Sequence, residues 1–313
     1  MRDKGANLAA SLFARLRVLA RDRNVDMQFV LRRYAIERLL ARLEASPHRD
    51  RFVLKGAMLF TVWLDDPFRP TQDLDLLGRG DPEIDAVKAA FADVCRIPIE
   101  MDGMTFDAGA LRAEAIRQDQ AYGGVRVRTA AMLGRTRIPV QIDVGFGDVV
   151  TPPAQDLEFP PLLFESGPRL RAYPKETVIA EKLQAIIALG RANSRMKDFY
   201  DLLALSRLFH FDGETLAAAI QATLGRRNTP PPDDVPDGLS RSFAEDSSKI
   251  AQWTAFTARE PLLIAGPTLA ATIEELAAFV LPPLTALRTG AAFRRFWPAG
   301  GPWREANSED DSR

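Results

Sequence analysis

Hydrophobic spacing divides the chain into helical and extended stretches. Residues 6–20 and 26–45 repeat apolar positions at helical intervals, with Val30, Leu31, Ala35, Leu39 and Leu40 on one stripe. Asn24 or Asp26 is placed to cap the second helix. The mixed charges Arg32, Arg33, Glu37 and Arg38 read as a solvated face, with nucleic-acid contact as the other reading. Residues 52–55 form an apolar run that ends at Gly56, residues 57–64 permit a short helix, and 73–78 alternates apolar with acidic positions. Pro82 opens a helix over 81–95 whose inward positions are Ile84, Val87, Ala90, Phe91 and Val94. Strands are expected near 97–101 and 124–130, and 130–135 reads as a hairpin bend. The hairpin leads into a strand over 138–147, where Val140, Ile142 and Val144 alternate with Gln141, Asp143 and Gly145.

Beyond a proline-rich connection at 152–161 the period changes. A short extended piece at 167–173 precedes a helix over 175–189, with Ile179, Leu183, Ile186 and Ile187 as its core stripe. Further helices are expected over 195–205, 213–224, 243–259 and 268–281, with a break at 229–236. From Pro298 onward, prolines and glycines followed by NSEDDSR read as a disordered tail. The pattern predicts an α/β (α+β) protein. A mixed β-sheet flanked by helices occupies 1–151, a mostly helical lobe 152–297, and the tail 298–313.

Composition narrows the class. The 313 residues carry 41 basic and 42 acidic side chains, so a strongly charged partner surface is not built into the chain as a whole. The single cysteine, Cys95, excludes an internal disulfide and fits a reducing cytoplasm; it reads as a small buried hydrophobe at a helix end. No charged-then-apolar leader opens the chain, and no apolar run reaches the roughly 18 residues of a membrane span. A cytoplasmic protein without a membrane partner is expected. The only histidines, His48 and His210, offer neither a zinc site nor a Ser/His/Asp arrangement.

The chemistry concentrates at 69–78, RPTQDLDLLG. On a strand, Asp73 and Asp75 leave one face while Leu74 and Leu76 enter the core from the other. Paired carboxylates suit Mg²⁺, which takes hard oxygen ligands and keeps places for phosphate and water. Upstream, Gly56 permits a tight turn and close approach of a phosphate to backbone N–H groups. A strand, a glycine turn, a short helix and a strand bearing D-x-D match the opening of a nucleotidyltransferase palm. Asp143 on the second polar-faced strand is the candidate third carboxylate for two Mg²⁺ ions. No P-loop or kinase catalytic loop is present, so NTP binding must be of the palm type. Gly56 places the triphosphate, and Lys55 or Arg69 neutralises it. Arg126, Arg128, Arg135 and Arg137 on the hairpin have two readings: contact with a phosphate backbone, or protection of an edge strand.

Five segments together resemble the AbiEii/AbiGii-type (MenT-like) nucleotidyltransferase toxins of type IV toxin–antitoxin systems. They are LKGAMLF at 54–60, RPTQDLDLLG at 69–78, IDVGFGD at 142–148, YPKETVIAEKLQAI at 173–186 and RMKDFYDLLAL at 195–205. The resemblance covers roughly residues 26–210, in the family's order. The family's pair of small residues in the first turn is here Gly56 and Ala57. By resemblance Lys182 matches the family's essential helix lysine, and Asp198 an acid needed for activity. A lysine point charge suits a triphosphate or the charge developing in phosphoryl transfer. Asp198 is assigned to orienting Lys182 or the nucleotide; Asp201, on the same face, is the weaker candidate. The resemblance implies transfer of NMP from an NTP to an RNA 3′ end, the tRNA acceptor stem, with translation arrested and a cognate antitoxin encoded nearby. Two rivals stand beside it: nucleotidylation of a protein hydroxyl or a small molecule, and a non-catalytic palm-fold binding protein.

Overall fold

A computed structural model describes residues 2–64, 73–116, 123–259, 264 and 267–305. The protein is α/β, and its contacts divide it into two compact units, 1–148 with 155–172, and 149–154 with 173–313. The chain thus leaves the first unit, returns for one hairpin, and leaves again at Tyr173.

The first unit runs α1 (Arg2–Asp22), α2 (Met27–Glu44), β1 (Phe52–Lys55), α3 (Met58–Leu64), β2 (Asp73–Gly78) and α4 (Ile84–Arg96). It continues with β3 (Met104–Phe106), β4 (Arg112–Ile116), β5 (Gly124–Leu133), β6 (Thr136–Phe146), β7 (Gln155–Glu158) and β8 (Arg169–Ala172). These strands form one mixed sheet in the order β3-β5-β6-β2-β1-β8-β7, with β4 also on β5. β2 is antiparallel to β1 and parallel to β6. The alternation in the sequence places Leu74, Leu76, Ile142, Val144, Val125 and Val127 in the core, each contributing about 1.5–3 kcal/mol of burial. Helices α2 and α4 pack on the sheet, and Phe52 meets Phe91 of α4 with ring centroids 5.0 Å apart. Asp26 caps α2, accepting from the amides of Gln28 (2.8 Å) and Phe29 (3.2 Å).

The charged face of α2 is not solvated. Arg33, Glu37, Arg38 and Arg42 are all buried. Glu37 accepts from Arg38 (2.5 Å) and from the Leu162 amide (2.9 Å), and Arg33 donates to the Pro160 carbonyl (2.7 Å). The guanidinium of Arg33 lies 3.8 Å from the Phe159 ring centroid, and that of Arg38 lies 4.4 Å from that of Phe164. Arg42 donates to Asp102 (2.6 Å) and to the Met104 carbonyl (2.7 Å). Burial pulls Arg33 down to about 9 despite Glu37, and burial lifts Glu37 above the ordinary carboxylate range against Arg38 and Arg33. Desolvation therefore outweighs pairing here. The network fixes where the 159–164 segment lies more than it adds net stability.

The same network corrects the strand expected at 97–101. Asp102, pinned by Arg42, also accepts from the Met104 amide (3.0 Å), and Met101 adopts φ +61. The backbone turns there, and the strand begins at Met104. The hairpin bend is where the pattern put it, with Gly134 at φ +60 between β5 and β6. β4 and β7 escaped the pattern because they are short and largely exposed.

The second unit contains α5 (Lys175–Leu189), α6 (Met196–Leu208), β9 (Phe211–Asp212), α7 (Gly213–Arg226), α8 (Arg241–Ala244), α9 (Ser247–Arg259), α10 (Leu269–Thr289), β10 (Arg295–Trp297) and β11 (Arg304–Glu305). The helix expected over 243–259 is two helices. Ser240 caps the first, accepting from the Phe243 amide, while Asp246 accepts from the Ser248 and Lys249 amides and restarts the chain.

α10 runs past its expected end at 281, through Pro282 and Pro283. Proline removes the amide that would bond the carbonyl four residues back. For Pro283 that carbonyl belongs to Phe279, and the Trp303 indole donates to it instead (2.8 Å). Residues 298–305 are accordingly not a disordered tail: Trp303 meets Phe279, Phe293 and Trp297, and β11 pairs with β10. Residues 306–313 lie outside the described residues. By length and composition α10 is apolar enough to cross a membrane, but half of its apolar window is buried inside the protein.

Two substitutions test these buried partners by denaturant unfolding. Asp102→Asn leaves the Arg42 guanidinium buried without its counter-charge and should cost about 3–5 kcal/mol. Trp303→Phe keeps a ring but leaves the Phe279 carbonyl without a donor and should cost about 1–3 kcal/mol.

Candidate active site

The central strands of the first unit line up charged side chains across the sheet. Asp73 and Asp75 leave β2 on one face, with Leu74 and Leu76 buried on the other. Asp75 pairs with Lys55 of β1 on one side and with Asp143 of β6 on the other. Asp143 in turn pairs with Arg126 of β5. Residues opposite one another in paired strands share a face, so Lys55, Asp75, Asp143 and Arg126 form one row across four strands. In the next row Asp73 pairs with Gln141, and Gln141 with Arg128.

The glycine turn packs against the row. Gly56, at φ +74, follows Lys55, and a Cβ placed on it would lie 2.2 Å from Asp75 Oδ2. Only glycine leaves room for that carboxylate. Ala57 follows in the same turn, half-buried. Lys55 Nζ donates to Asp148 Oδ2 (3.0 Å). Arg69, the alternative to Lys55 for neutralising the triphosphate, lies outside the described residues.

Two of the hairpin arginines are held by polar side chains. Arg126 is bidentate on Asp143, with Nε to Oδ1 at 2.8 Å and Nη2 to Oδ2 at 2.6 Å. That hydrogen bond holds the guanidinium above its ordinary pKa; burial opposes it, and the charges of Asp143 and Asp73 reinforce it. Arg128 donates to Glu114 (2.6 Å) and Gln141 (3.2 Å). The sequence alone left out Asp148 as the partner of Lys55 and the pairing of Arg126 with Asp143. The second was within reach, because the register set by a turn at Gly134 and Arg135 brings those two opposite one another.

The donor set fits a divalent cation at Asp73 and Asp75. They are two hard carboxylates on one rigid strand, and Mg²⁺ is commonly held by one or two carboxylates with phosphate and water completing its shell. Among the described residues no three of His, Cys, Asp and Glu converge on one point as a metal cluster. Asp143 faces the same row but has both oxygens on Arg126.

In the second unit, α5 and α6 bring Lys182 to two acids. Lys182 Nζ is 2.8 Å from Asp198 Oδ1 and 2.8 Å from Asp201 Oδ2. Asp201, the weaker candidate by sequence, is thus an equal partner. The acids lie three residues apart on one helix face and are 2% and 1% exposed, so neither charge is solvated. Arg195 also reaches Asp198 (3.0 Å). Burial pushes the Asp198 carboxyl up, but Lys182 and Arg195 outweigh it and hold the group below its ordinary range. Arg227 donates to Gln184 (2.9 Å) and lies 3.5 Å from Glu181.

No curated protein matches the sequence. Among solved structures, that of JHP933 from Helicobacter pylori is similar at 16% identity, covering 85% of this chain and 95% of that one, with a TM-score of 0.48. A putative nucleotidyltransferase from H. pylori is similar at 17% identity over 85% of this chain and 98% of that one, with a TM-score of 0.46. The family described as nucleotidyl transferase AbiEii toxin, type IV TA system, matches residues 38–275, a span that holds Asp73, Asp75, Asp143, Lys182 and Asp198. The chain belongs to the AbiEii nucleotidyltransferase toxin family of type IV toxin–antitoxin systems.

Proposed function

We propose that this nucleotidyltransferase toxin transfers a nucleoside monophosphate from an NTP to the 3′-hydroxyl of an RNA. The acceptor is the tRNA acceptor end, in the cytoplasm; its modification blocks aminoacylation and so arrests translation. A cognate antitoxin belongs to the family's logic. The observation that carries the reading is the Asp73 and Asp75 pair, set against the Gly56 turn on a strand bonded on both sides.

In this reading the 3′-oxygen bonds to the α-phosphorus in line. The bond from that phosphorus to the α–β bridging oxygen breaks, pyrophosphate leaves, and the hydroxyl proton passes to water. A pair of Mg²⁺ ions held by Asp73 and Asp75 would supply charge neutralisation at the phosphates and a lowered pKa for the attacking hydroxyl. Gly56 keeps the backbone open to phosphate oxygens, and Lys55, steadied by Asp148, offsets their charge. Lys182 is assigned to a phosphate, with Asp198 and Asp201 fixing its ammonium.

A second reading keeps the transfer and changes the acceptor to a protein hydroxyl or a small molecule. It is favoured by the net charge of −1 and by the engagement of Arg126 and Arg128 with Asp143 and Glu114. RNA binders commonly present a basic face.

Incubation of the protein with total tRNA, Mg²⁺ and each labelled NTP in turn separates these readings. Label should appear on tRNA and fall about 100-fold or more in Asp73→Ala, since metal stabilisation of several kcal/mol is worth two or more decades of rate. Label on protein would establish the second reading instead. Lys182→Met carries a stability prediction as well. The depressed Asp198 carboxyl adds stability above its ordinary range, which is lost as pH falls through the folded value. Removing Lys182 should therefore cost about 3–5 kcal/mol at neutral pH, and the deficit should shrink on acidification. Denaturant unfolding across that pH range reads it directly.

A further inference from the structure

We propose that Asp143 is not a third metal ligand but the holder of Arg126, and that Arg126 contacts the phosphates of the bound nucleotide. The inference rests on the nucleotidyltransferase reading of Asp73 and Asp75.

Three observations carry it. First, both oxygens of Asp143 accept from one guanidinium in a bidentate fork, at 2.8 and 2.6 Å. A divalent ion on that carboxylate would sit one group away from a fixed positive charge and be repelled by it. Second, register places Arg126 in the same row as Asp75, separated from it only by Asp143, on the face that carries Asp73. Third, the fork uses Nε and Nη2, and among the described residues Nη1 has no hydrogen-bond partner. The side chain retains 30% of its exposure. A guanidinium steadied on one edge, with a donor left on the other, suits a phosphate oxygen. A guanidinium placed only to protect an edge has no reason to be on β5 here, because β4 and β6 flank it at this position. Asp143 would thus be a positioning residue, acting through Arg126.

The test measures binding rather than turnover. Wild type, Arg126→Met, Asp143→Asn, the double variant and Asp73→Asn are titrated with Mn²⁺ alone by electron paramagnetic resonance, then with NTP in the presence of Mn²⁺ by calorimetry. Circular dichroism confirms that each is folded, and Arg126→Lys serves in place of Arg126→Met if that variant is not. Arg126→Met and Asp143→Asn should each weaken nucleotide binding by about tenfold, and the double variant by no more than either alone. Mn²⁺ affinity should survive Asp143→Asn and collapse in Asp73→Asn. Loss of Mn²⁺ in Asp143→Asn would make Asp143 a metal ligand and overturn the proposal. Unchanged nucleotide affinity in the arginine variant would overturn it too, leaving the pair a strut between β5 and β6. If instead Asp73→Asn keeps both Mn²⁺ and nucleotide, the underlying reading fails and the inference falls with it.

Discussion

A strand hydrogen-bonded on both sides cannot slide, and β2 is such a strand. Its antiparallel register with β1 and parallel register with β6 fix which residues stand beside Asp73 and Asp75. A slip of one residue would turn both carboxylates into the core and both leucines out of it. The buried Leu74 and Leu76 therefore do as much for the site as the acids do, since their burial forbids that slip. The hairpin carries the constraint outward: the turn at Gly134 sets β5 against β6, and so sets Arg126 against Asp143. Three registers, of β1 on β2, β2 on β6 and β5 on β6, order a row of four charged side chains without any of them having to find its place by its own contacts.

The first unit accepts buried charge elsewhere as well, with a different result. On α2, burial dominates both Arg33 and Glu37, and the partners only partly compensate. Such a cluster is expensive, and its effect is to define location. The 159–164 segment, short of regular hydrogen bonding of its own, is held by Glu37 at the Leu162 amide and by Arg33 at the Pro160 carbonyl. An apolar face on α2 would bury the same area but would leave those backbone groups unmatched.

What could be read from residues alone divides along the same line. An apolar run located β1, hydrophobic patterning located β2, β5, β6, α2 and α5, and the alternation of acids with leucines put Asp73 and Asp75 on a shared face. These are local signals, complete within one element. The buried arginines of α2 were unreadable because their partners, Phe159, Pro160 and Asp102, lie far along the chain and have no periodicity to announce them. The turn at Asp102 and the continuation of α10 through Pro282 and Pro283 failed for the same reason. Each is decided by one long-range donor, Arg42 to the Asp102 carboxylate in the first case and Trp303 to the Phe279 carbonyl in the second. Around Lys182, the motif singled out Asp198 ahead of Asp201, and the sharing of one ammonium by both carboxylates could not be read there, because it is a fact of packing between α5 and α6.

Pairing also bears on how a chain with 41 basic and 42 acidic side chains would meet the polyanionic substrates proposed for it. A basic protein attracts nucleic acid by its overall field, which salt screens within about 10 Å. Here Lys55, Arg126 and Lys182 each lie against aspartates, so their long-range fields largely cancel. What remains is short-range and directional: a donor edge, an ammonium of fixed position, a carboxylate pair on a rigid strand. In the proposed reading such groups would contribute once a phosphate is seated, because they are held in place beforehand and would lose little freedom on binding. Near-neutral net charge and phosphate chemistry are thus compatible, provided that recognition of the acceptor depends on close fit more than on attraction from a distance.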